Sequence, residues 1–313
     1  MAPTILVAGA TGNTGPSVVE ALSNLRKTSS VLSGHRIVAL TRSADSPVAQ
    51  SFTKLPGVEV IEKNWIEITV DWLRKNEVVR AFVAAKAQPS QFTDETTFYV
   101  AALEAGVEYV VRISTTAPNV RPDCKAFYAR SHWAIETLLA TPEFERLQWT
   151  SLQPNAFTQF YLENAAALIR QYRSTGKQDT LRLMGSADAP LGIIDTYDIG
   201  ILSALLLAQK DPTPHNKAKY VLNGPEDISG NQVVKLIEQY IGTKVENVSF
   251  QDMSWIDSWA ENSPDPKSVI LSIKHALDPL IKGLCSASTT SKEVLEFAAP
   301  KRTPAEVLKS MLE

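Results

Sequence analysis

The stretch Thr4-Ile-Leu-Val-Ala8-Gly9-Ala-Thr-Gly12-Asn-Thr-Gly15 decides the fold of this chain. Its apolar, β-branched start predicts a strand, its glycines predict a tight turn, and the amphipathic residues that follow predict a helix. Gly9 permits the turn, Gly12 lets a diphosphate approach the backbone, and Gly15 lets the helix pack close to the strand. The N-terminus of such a helix offers free N–H groups to an anion. We therefore expect a nucleotide cofactor here, with the turn residues Thr11, Asn13 and Thr14 included in its site. The alternative is a structural turn that binds no ligand.

Composition excludes several classes of protein. The chain has 313 residues, of which 44% are hydrophobic and 21% charged, so it can bury an ordinary core. A net charge of −3 gives no electrostatic reason to expect a nucleic-acid partner. Two cysteines and four scattered histidines predict neither a disulfide framework nor a metal site. The absence of a signal-type segment and of a long apolar run predicts a cytoplasmic protein without a membrane partner. We expect a monomer or a homodimer that acts on a small molecule.

Strand and helix patterns alternate through the first half of the chain. The expected strands are 4–8, 36–40, 58–61, 81–85, 109–113 and 149–152, and the expected helices are 15–25, 47–54, 68–76, 92–105 and 126–140. This alternation is typical of a parallel sheet covered by helices on both faces, with its ligand at the carboxyl ends of the strands. Gly106 follows the fourth helix and is a good C-terminal cap.

The second half changes character after residue 154. Its expected strands are 191–194, 219–222 and 245–250, and its expected helices are 157–169, 197–208 and 229–240. We predict an α/β protein: a Rossmann-like, doubly wound parallel sheet with a smaller C-terminal α/β substrate lobe. Residues 1–154 with about 191–223 would form the cofactor domain, and about 155–190 with 224–313 would form the lobe.

The end of the second strand indicates which cofactor binds. An NAD site usually has an acidic residue there, but this chain has Thr41-Arg42-Ser43, and its first acid is Asp45. Arg42 can pair with a 2′-phosphate, while Thr41 and Ser43 offer hydroxyls. The sequence therefore predicts NADP(H). The alternative is that Arg42 is only a solvated loop charge.

Further candidates for the cofactor site follow the third, fourth and sixth strands: Asn64, Trp65, Ala85, Lys86, Pro154, Asn155 and Phe157. Four of them have a structural alternative. Trp65 fits plain packing equally well, and Lys86 fits a solvent-facing side chain. Asn155 and Phe157 also fit an ordinary loop and helix start.

The order and spacing of several motifs resemble a known family. The motifs are Gly9-xx-Gly12-xx-Gly15, Thr41-Arg42, His132-xxx-Glu136-xx-Leu139, the run from Trp149 to Phe157, Gly192-Ile-Ile-Asp195 with Asp198-Ile-Gly200, and Tyr220-Val-Leu-Asn-Gly224-Pro225. From residue 4 to about 240 the chain resembles the NmrA-like family of atypical short-chain dehydrogenases. That family includes quinone, triphenylmethane and isoflavone-type reductases as well as nucleotide-sensing regulators. The resemblance implies a Rossmann domain with a small C-terminal lobe.

A reactive centre is expected on the fifth helix. Tyr128 and His132 lie four residues apart and share a helix face. Ordinary short-chain dehydrogenases carry Tyr-xxx-Lys here, with a hydroxyl residue at the end of the fifth strand. His132 matches the lysine position, and Ser114 and Thr115 match the hydroxyl position. The resemblance implies that Tyr128 donates a proton, while His132 binds the nicotinamide ribose or relays a proton. The alternative for each residue is ordinary packing or capping.

These features together predict an NADPH-dependent reductase. Hydride would pass to a small apolar or aromatic carbonyl, quinone, imine or activated alkene, as in a tailoring step of secondary metabolism. Tyr161, Trp255 and Trp259 are candidates for an apolar substrate pocket, although helix packing is the better explanation for each. The alternative function is a non-enzymatic, NADP-binding redox sensor, because the lysine of Tyr-xxx-Lys is missing.

Overall fold

The glycine turn joins the first strand to the first helix of an α/β protein. The computed structural model describes residues 2–313. The strands are β1 (Thr4–Ala8), β2 (Arg36–Thr41), β3 (Val58–Glu62), β4 (Val78–Val83), β5 (Tyr109–Ile113), β6 (Gln148–Pro154), β7 (Leu181–Leu183), β8 (Ala218–Leu222) and β9 (Val248–Phe250).

Helices follow most of these strands. The α-helices are α1 (Gly15–Leu25), α2 (Pro47–Phe52), α3 (Val70–Lys75), α4 (Gln91–Ala105), α5 (Phe127–Leu139), α6 (Thr158–Thr175), α7 (Thr196–Leu207), α8 (Gly230–Ile241), α9 (Ser254–Asn262), α10 (Lys267–Leu271), α11 (Asp278–Ile281), α12 (Lys292–Ala298) and α13 (Pro304–Leu312).

The main sheet of residues 2–313 has seven strands in the order β3-β2-β1-β4-β5-β6-β8. The pairs from β3 through β6 are parallel. The strand order reverses between β1 and β4, and in doubly wound sheets ligands bind outside the carboxyl ends at that point. The prediction of a Rossmann-like, doubly wound sheet is confirmed.

Burial explains why these segments become strands and helices. Every residue of β1 and of β5 is buried, as parallel strands covered on both faces require. The helix α1 packs against α7, where a Cβ on Gly200 would lie 2.9 Å from the backbone nitrogen of Val18. Gly200 therefore permits the close crossing of these two helices. Gly106 ends α4 in the left-handed conformation at φ +84°, which confirms the predicted cap.

The chain divides into two compact units. The first contains Met1–Ser114, Ser131–Gln153 and Thr196–Tyr220, and the second contains Thr115–Arg130, Pro154–Asp195 and Val221–Glu313. Segments 115–130 and 191–195 thus belong to the second unit, whereas the sequence placed them with the first. The second unit has its own hydrophobic cluster and a small parallel sheet of β7 and β9.

Three element predictions were wrong or displaced. Residues 191–194 form only isolated bridges, for example between Leu191 and Ile228, because an apolar run can be buried without pairing as a strand. The short strand β7 was not predicted. The fourth strand ends at Val83 rather than at residue 85, so Ala85 and Lys86 lie beyond it.

Candidate functional site

Two of the three glycines in the turn are required by the protein itself. Gly9 has φ +86°, and a Cβ there would lie 2.5 Å from the carbonyl oxygen of Ala84. A Cβ on Gly15 would collide with the carbonyl oxygen of Gly9 and would lie 2.5 Å from that of Ala10. The backbone of the turn leaves no room for a side chain at either position.

Gly12 has a different environment. It is exposed, its N–H donates to the carbonyl of Gly9 at 3.0 Å, and a Cβ would meet only that carbonyl, at 3.2 Å, among the described residues. The surrounding protein therefore leaves more room for a side chain at Gly12 than at Gly9 or Gly15. Open space beside a backbone turn is what a diphosphate needs, and the residues here fit a nucleotide cofactor.

The N-terminus of α1 is open to a ligand. Its N-cap residue, Thr14, is buried, and within residues 2–313 its side chain makes no capping hydrogen bond. Asn13 beside it is exposed, and Thr11 is half-buried. An uncapped helix of 11 residues directs its first N–H groups and its positive dipole end at the turn.

Arg42 lies exposed immediately after β2, and it takes part in no ion pair found among residues 2–313. Thr41 does not offer a free hydroxyl, because its Oγ1 donates to the Ser43 carbonyl at 2.9 Å and accepts from the Ser43 N–H at 3.1 Å. Glu62 accepts a hydrogen bond from the Ala44 N–H at 2.8 Å. These bonds shape the loop that presents Arg42 and the exposed Ser43.

The candidates after β3 and β4 show less specialised surroundings. Asn64 accepts a hydrogen bond from the Ile66 N–H at 3.4 Å, so it caps a short helical turn. Trp65 packs edge-to-face on Phe98 with ring centroids 6.1 Å apart, which favours the packing alternative. Lys86 is exposed.

Asn155 links three segments of the second unit through hydrogen bonds. Its buried amide donates to the carbonyls of Gly192 at 3.0 Å and Cys285 at 2.9 Å, and to Asn223 Oδ1 at 3.0 Å. Its Oδ1 accepts from the Ala156 N–H at 2.7 Å. With its hydrogen-bonding groups engaged by the protein, Asn155 does not fit the expected cofactor contact.

The neighbours of Asn155 have backbone roles. Pro154 is buried at the end of β6. Phe157 is the half-buried N-cap of α6 and forms a bridge with Ile194. Tyr161, one turn later, is buried against Gly185, and burial raises its pKa to about 12. Packing therefore explains Tyr161.

Tyr128 and Thr115 form a hydrogen-bonded pair in the second unit. Tyr128 is half-buried and packs edge-to-face on Phe127 at 5.9 Å. Burial raises the pKa of the Tyr128 phenol, and the hydrogen bond with Thr115 only partly offsets that rise. The phenol is therefore protonated at neutral pH, where it can donate a hydrogen bond or a proton.

Ser114 carries an unpartnered hydroxyl at the end of β5. The residue is 6% exposed, and its Oγ has no hydrogen-bond partner within the described part of the chain. Its backbone N–H donates to the Leu152 carbonyl at 2.7 Å, so the sheet fixes its position. Buried polar atoms are usually paired, so this hydroxyl is a candidate hydrogen-bond partner for a ligand.

His132 belongs to a buried polar network of the first unit. Arg112 donates to its Nδ1 at 2.8 Å, and the Gln91 amide nitrogen lies 3.1 Å from its Nε2. Because a guanidinium can only donate, His132 Nδ1 accepts this hydrogen bond and carries no proton, so the ring is neutral. Burial and the Arg112 charge hold the His132 pKa well below its usual value. At 5% exposure, this geometry favours the structural alternative for His132.

Arg112 is the centre of this network, which sequence reasoning missed. Its guanidinium binds Glu95 at 3.0 Å, and both side chains are fully buried. The Tyr99 hydroxyl donates to the same carboxylate at 2.8 Å, and Arg112 donates to Ser151 Oγ at 3.1 Å. A charged residue inside the otherwise apolar strand Tyr109–Ile113 was the available signal.

Glu136 completes the network on α5. It accepts from Ser151 Oγ at 2.7 Å and from the Gln153 amide at 3.1 Å, and Lys219 lies 3.2 Å away. Burial acts to raise the Glu136 pKa, but the Arg112 charge and these hydrogen bonds outweigh it and lower the pKa. The His132-xxx-Glu136 motif therefore holds α5 to the sheet.

Metal-binding clusters and membrane-spanning helices are absent from residues 2–313. No group of histidine, cysteine, aspartate or glutamate side chains there could hold a metal ion, and both cysteines are free and buried. None of the helices in that range is both long and apolar enough to span a membrane. The open glycine turn is thus the best-defined candidate for a ligand site in the first unit.

Comparison with known proteins identifies the family. A model of the NmrA-like family matches residues 1–272. The chain belongs to the NmrA-like family. It is 29% identical over 288 residues to isoflavone reductase homolog P3 of Arabidopsis thaliana, covering 87% of this chain and 86% of that protein.

Two solved structures share the NmrA-like fold. One is an NADPH-dependent quinone oxidoreductase of Escherichia coli in complex with NADPH, with a TM-score of 0.71, 20% identity and coverage of 99% of this chain and 100% of that one. The other is the triphenylmethane reductase of Citrobacter sp. with NADP(H), with a TM-score of 0.71, 18% identity and coverage of 99% and 100%. At these identities the likeness shows the fold.

Proposed function

We propose that this NmrA-like protein is an NADPH-dependent reductase of a small apolar or aromatic carbonyl, quinone, imine or activated alkene. The observation that carries the proposal is the open space at Gly12 beside the uncapped N-terminus of α1. The relatives support it, because an isoflavone reductase homologue is similar in sequence over most of the chain and an NADPH-dependent quinone oxidoreductase has the same fold. In this proposal the first unit binds the cofactor and the second binds the substrate.

The first unit supplies the groups that would hold NADP(H). The backbone at Gly12 and the first N–H groups of α1 would bind the diphosphate, and Arg42 would bind the 2′-phosphate. The residues that directly follow β2, Arg42 and Ser43, include no acid to select the two ribose hydroxyls of NAD. When bound, the cofactor supplies a hydride.

Tyr128 is the proton donor in this proposal. The Thr115 hydroxyl orients the phenol, and the raised Tyr128 pKa keeps it protonated at neutral pH. His132 cannot act as a permanent cation beside it, because its ring is neutral and held by Arg112. Tyr128 is therefore a weaker acid than the tyrosine of a Tyr-xxx-Lys pair.

A weak acid favours particular substrates within the proposed range. Acceptors that are already electron-poor, such as quinones, iminium-type cations and activated alkenes, need little proton transfer at the moment of hydride addition. Simple ketones need more, because negative charge develops on their oxygen. The geometry around Tyr128 thus supports electron-poor acceptors over simple ketones.

The sequestered His132 also supports a second candidate, a non-enzymatic NADP-binding sensor. A sensor needs the open glycine turn but no proton donor. The two candidates differ in turnover and not in cofactor affinity.

The test is NADPH oxidation by the purified chain with 1,4-naphthoquinone, a triphenylmethane dye cation, 2-cyclohexenone and acetophenone. We expect turnover with the first two to exceed turnover with acetophenone. Tyr128→Phe should lower turnover less than about tenfold with the quinone, but about 10²–10⁴-fold with any ketone that is reduced. Tyr172→Phe, a half-buried tyrosine on α6, is the matched control. Tight NADPH binding without turnover on any compound would favour the sensor.

A further inference from the structure

Three aromatic side chains of the second unit form a continuous row. Phe160 of α6 lies edge-to-face with Trp255 of α9, with ring centroids 5.4 Å apart and planes at 82°. Trp255 in turn lies nearly parallel to Trp259, one turn along α9, at 6.3 Å and 12°. We call Phe160, Trp255 and Trp259 the aromatic row. Phe160 is 53% exposed and the two tryptophans are half-buried, so the row lies at the surface.

The row contains an unsatisfied hydrogen-bond donor. The indole N–H of Trp255 is buried and has no partner among residues 2–313. Leaving a buried donor unpaired is costly, and buried indole N–H groups usually find an acceptor. An apolar packing surface would not need that donor, whereas a binding surface would use it to recognise an acceptor atom of a ligand.

The start of α9 is anchored, which fixes the two tryptophans. The Asp252 carboxylate accepts from the Ser254 N–H at 3.0 Å, from Ser249 Oγ at 3.0 Å and from Arg182 at 2.7 Å. These bonds tie the first turn of α9 to the small sheet of β7 and β9. A preformed surface binds with a smaller loss of conformational entropy than a mobile one.

The two tryptophans of the aromatic row pack against the same hydrophobic cluster as the proposed proton donor. Phe127, Ile256, Ala260, Ile270 and Ile273 form this cluster, and Tyr128, Trp255 and Trp259 pack against it. Tyr128, Trp255 and Trp259 are therefore linked through one set of buried side chains within the second unit.

We propose that the aromatic row recognises a flat, electron-poor aromatic substrate whose oxygen accepts the Trp255 N–H. This inference rests on the proposed reductase function and names its substrate class. Indole faces are electron-rich, so they attract electron-poor rings, and a hydride acceptor is electron-poor by nature. Stacking on the row gives affinity, and the bond from Trp255 sets the orientation of the ring.

The experiment measures the dissociation constant of 1,4-naphthoquinone by calorimetry on the full chain saturated with NADP⁺, so that no reduction occurs. Trp259→Leu and Phe160→Leu should each raise it about three- to tenfold, the effect of one lost aromatic contact. Trp255→Phe keeps a ring but loses the N–H. It should weaken naphthoquinone binding and leave naphthalene binding within twofold of wild type.

Trp72→Leu removes a half-buried indole from the first unit and is the matched control, with no expected change. Phe160→Leu alters an exposed ring and should not affect folding. Naphthoquinone binding that is unchanged in all three row variants overturns the inference, as does an equal loss in Trp72→Leu. If the quinone is reduced equally well by wild type and row variants, the inference fails while the reductase function stands. Row-dependent binding without NADPH oxidation supports the surface and contradicts the reductase.

Discussion

The glycine turn and the network around His132 both arise from motifs that the sequence singled out, yet the structure treats them in opposite ways. At the turn, Gly12 borders open space and Thr14 leaves α1 uncapped. In the network, the Arg112 guanidinium is paired with Glu95, and the Glu136 carboxylate accepts a hydrogen bond from Ser151. The charged groups of the network are therefore satisfied by the protein. Open polar groups mark a ligand site, and satisfied ones mark a structural element. By this criterion the glycine turn is the candidate for cofactor binding, and the network around His132 supports the fold.

Removing the centre of the network should have the largest effect. Arg112→Met leaves Glu95 buried without a cation and Glu136 with Lys219 alone, and we expect a loss of about 3–5 kcal/mol in the free energy of unfolding. Denaturation by urea measures it. Arg36→Met, which breaks the exposed pair with Glu59 at 3.0 Å, is the matched control and should cost about 0–1 kcal/mol. Equal losses in the two variants would show that the network is not structural.

A side chain at the open position should act on binding rather than on stability. Gly12→Val places a branched side chain where the diphosphate would lie, and we expect the affinity for NADPH to fall more than about a hundredfold, a loss of about 2.7 kcal/mol or more. Gly15→Val should instead fail to fold, because its side chain meets backbone carbonyls. Fluorescence titration and thermal unfolding measure the two effects. A folded Gly12→Val that binds NADPH normally would remove the turn from the site.

Arg42 should set the preference between the two nicotinamide cofactors. Arg42→Ala loses a charge-assisted contact worth about 1.5–3 kcal/mol with the 2′-phosphate, so NADPH affinity should fall about tenfold or more. NADH affinity should be unchanged. Parallel titrations of both cofactors measure the ratio, with Arg26→Ala as an arginine control outside the loop. If Arg42→Ala still prefers NADPH over NADH, Arg42 does not bind the 2′-phosphate and is only a solvated loop charge.

The protonation of His132 should have the smallest effect, on the pH dependence of stability. Its pKa is lowered in the folded state, so the unfolded chain binds the proton more readily. Stability from this group is therefore complete above the ordinary histidine pKa. It falls as the pH drops below that value, by about 1.4 kcal/mol per pH unit. His132→Gln should flatten the unfolding free energy between about pH 7 and pH 5 relative to wild type. If the unfolding free energy depends on pH with the same slope in both proteins, the His132 ring is protonated in the folded state and the account of the network is wrong.

Local patterns predicted much of the fold but only part of the site. The strand–turn–helix at Gly9 to Gly15 follows from neighbouring residues, and so do the cap at Gly106 and the exposed Arg42. The network depends on Glu95 and Arg112, which only the tertiary fold brings together. A single sequence without structure cannot show that pairing. It also cannot show that the Asn155 amide is hydrogen-bonded to three other loops.

The structure of the chain with NADPH bound tests the central claim most directly. The comparison of the two regions predicts that the diphosphate lies over Gly12 at the N-terminus of α1, with the 2′-phosphate on Arg42. It also predicts that the His132 ring keeps its bond from Arg112 and makes no contact with the cofactor. A nicotinamide ribose hydrogen-bonded to His132, with the Arg112 bond broken, would contradict the account.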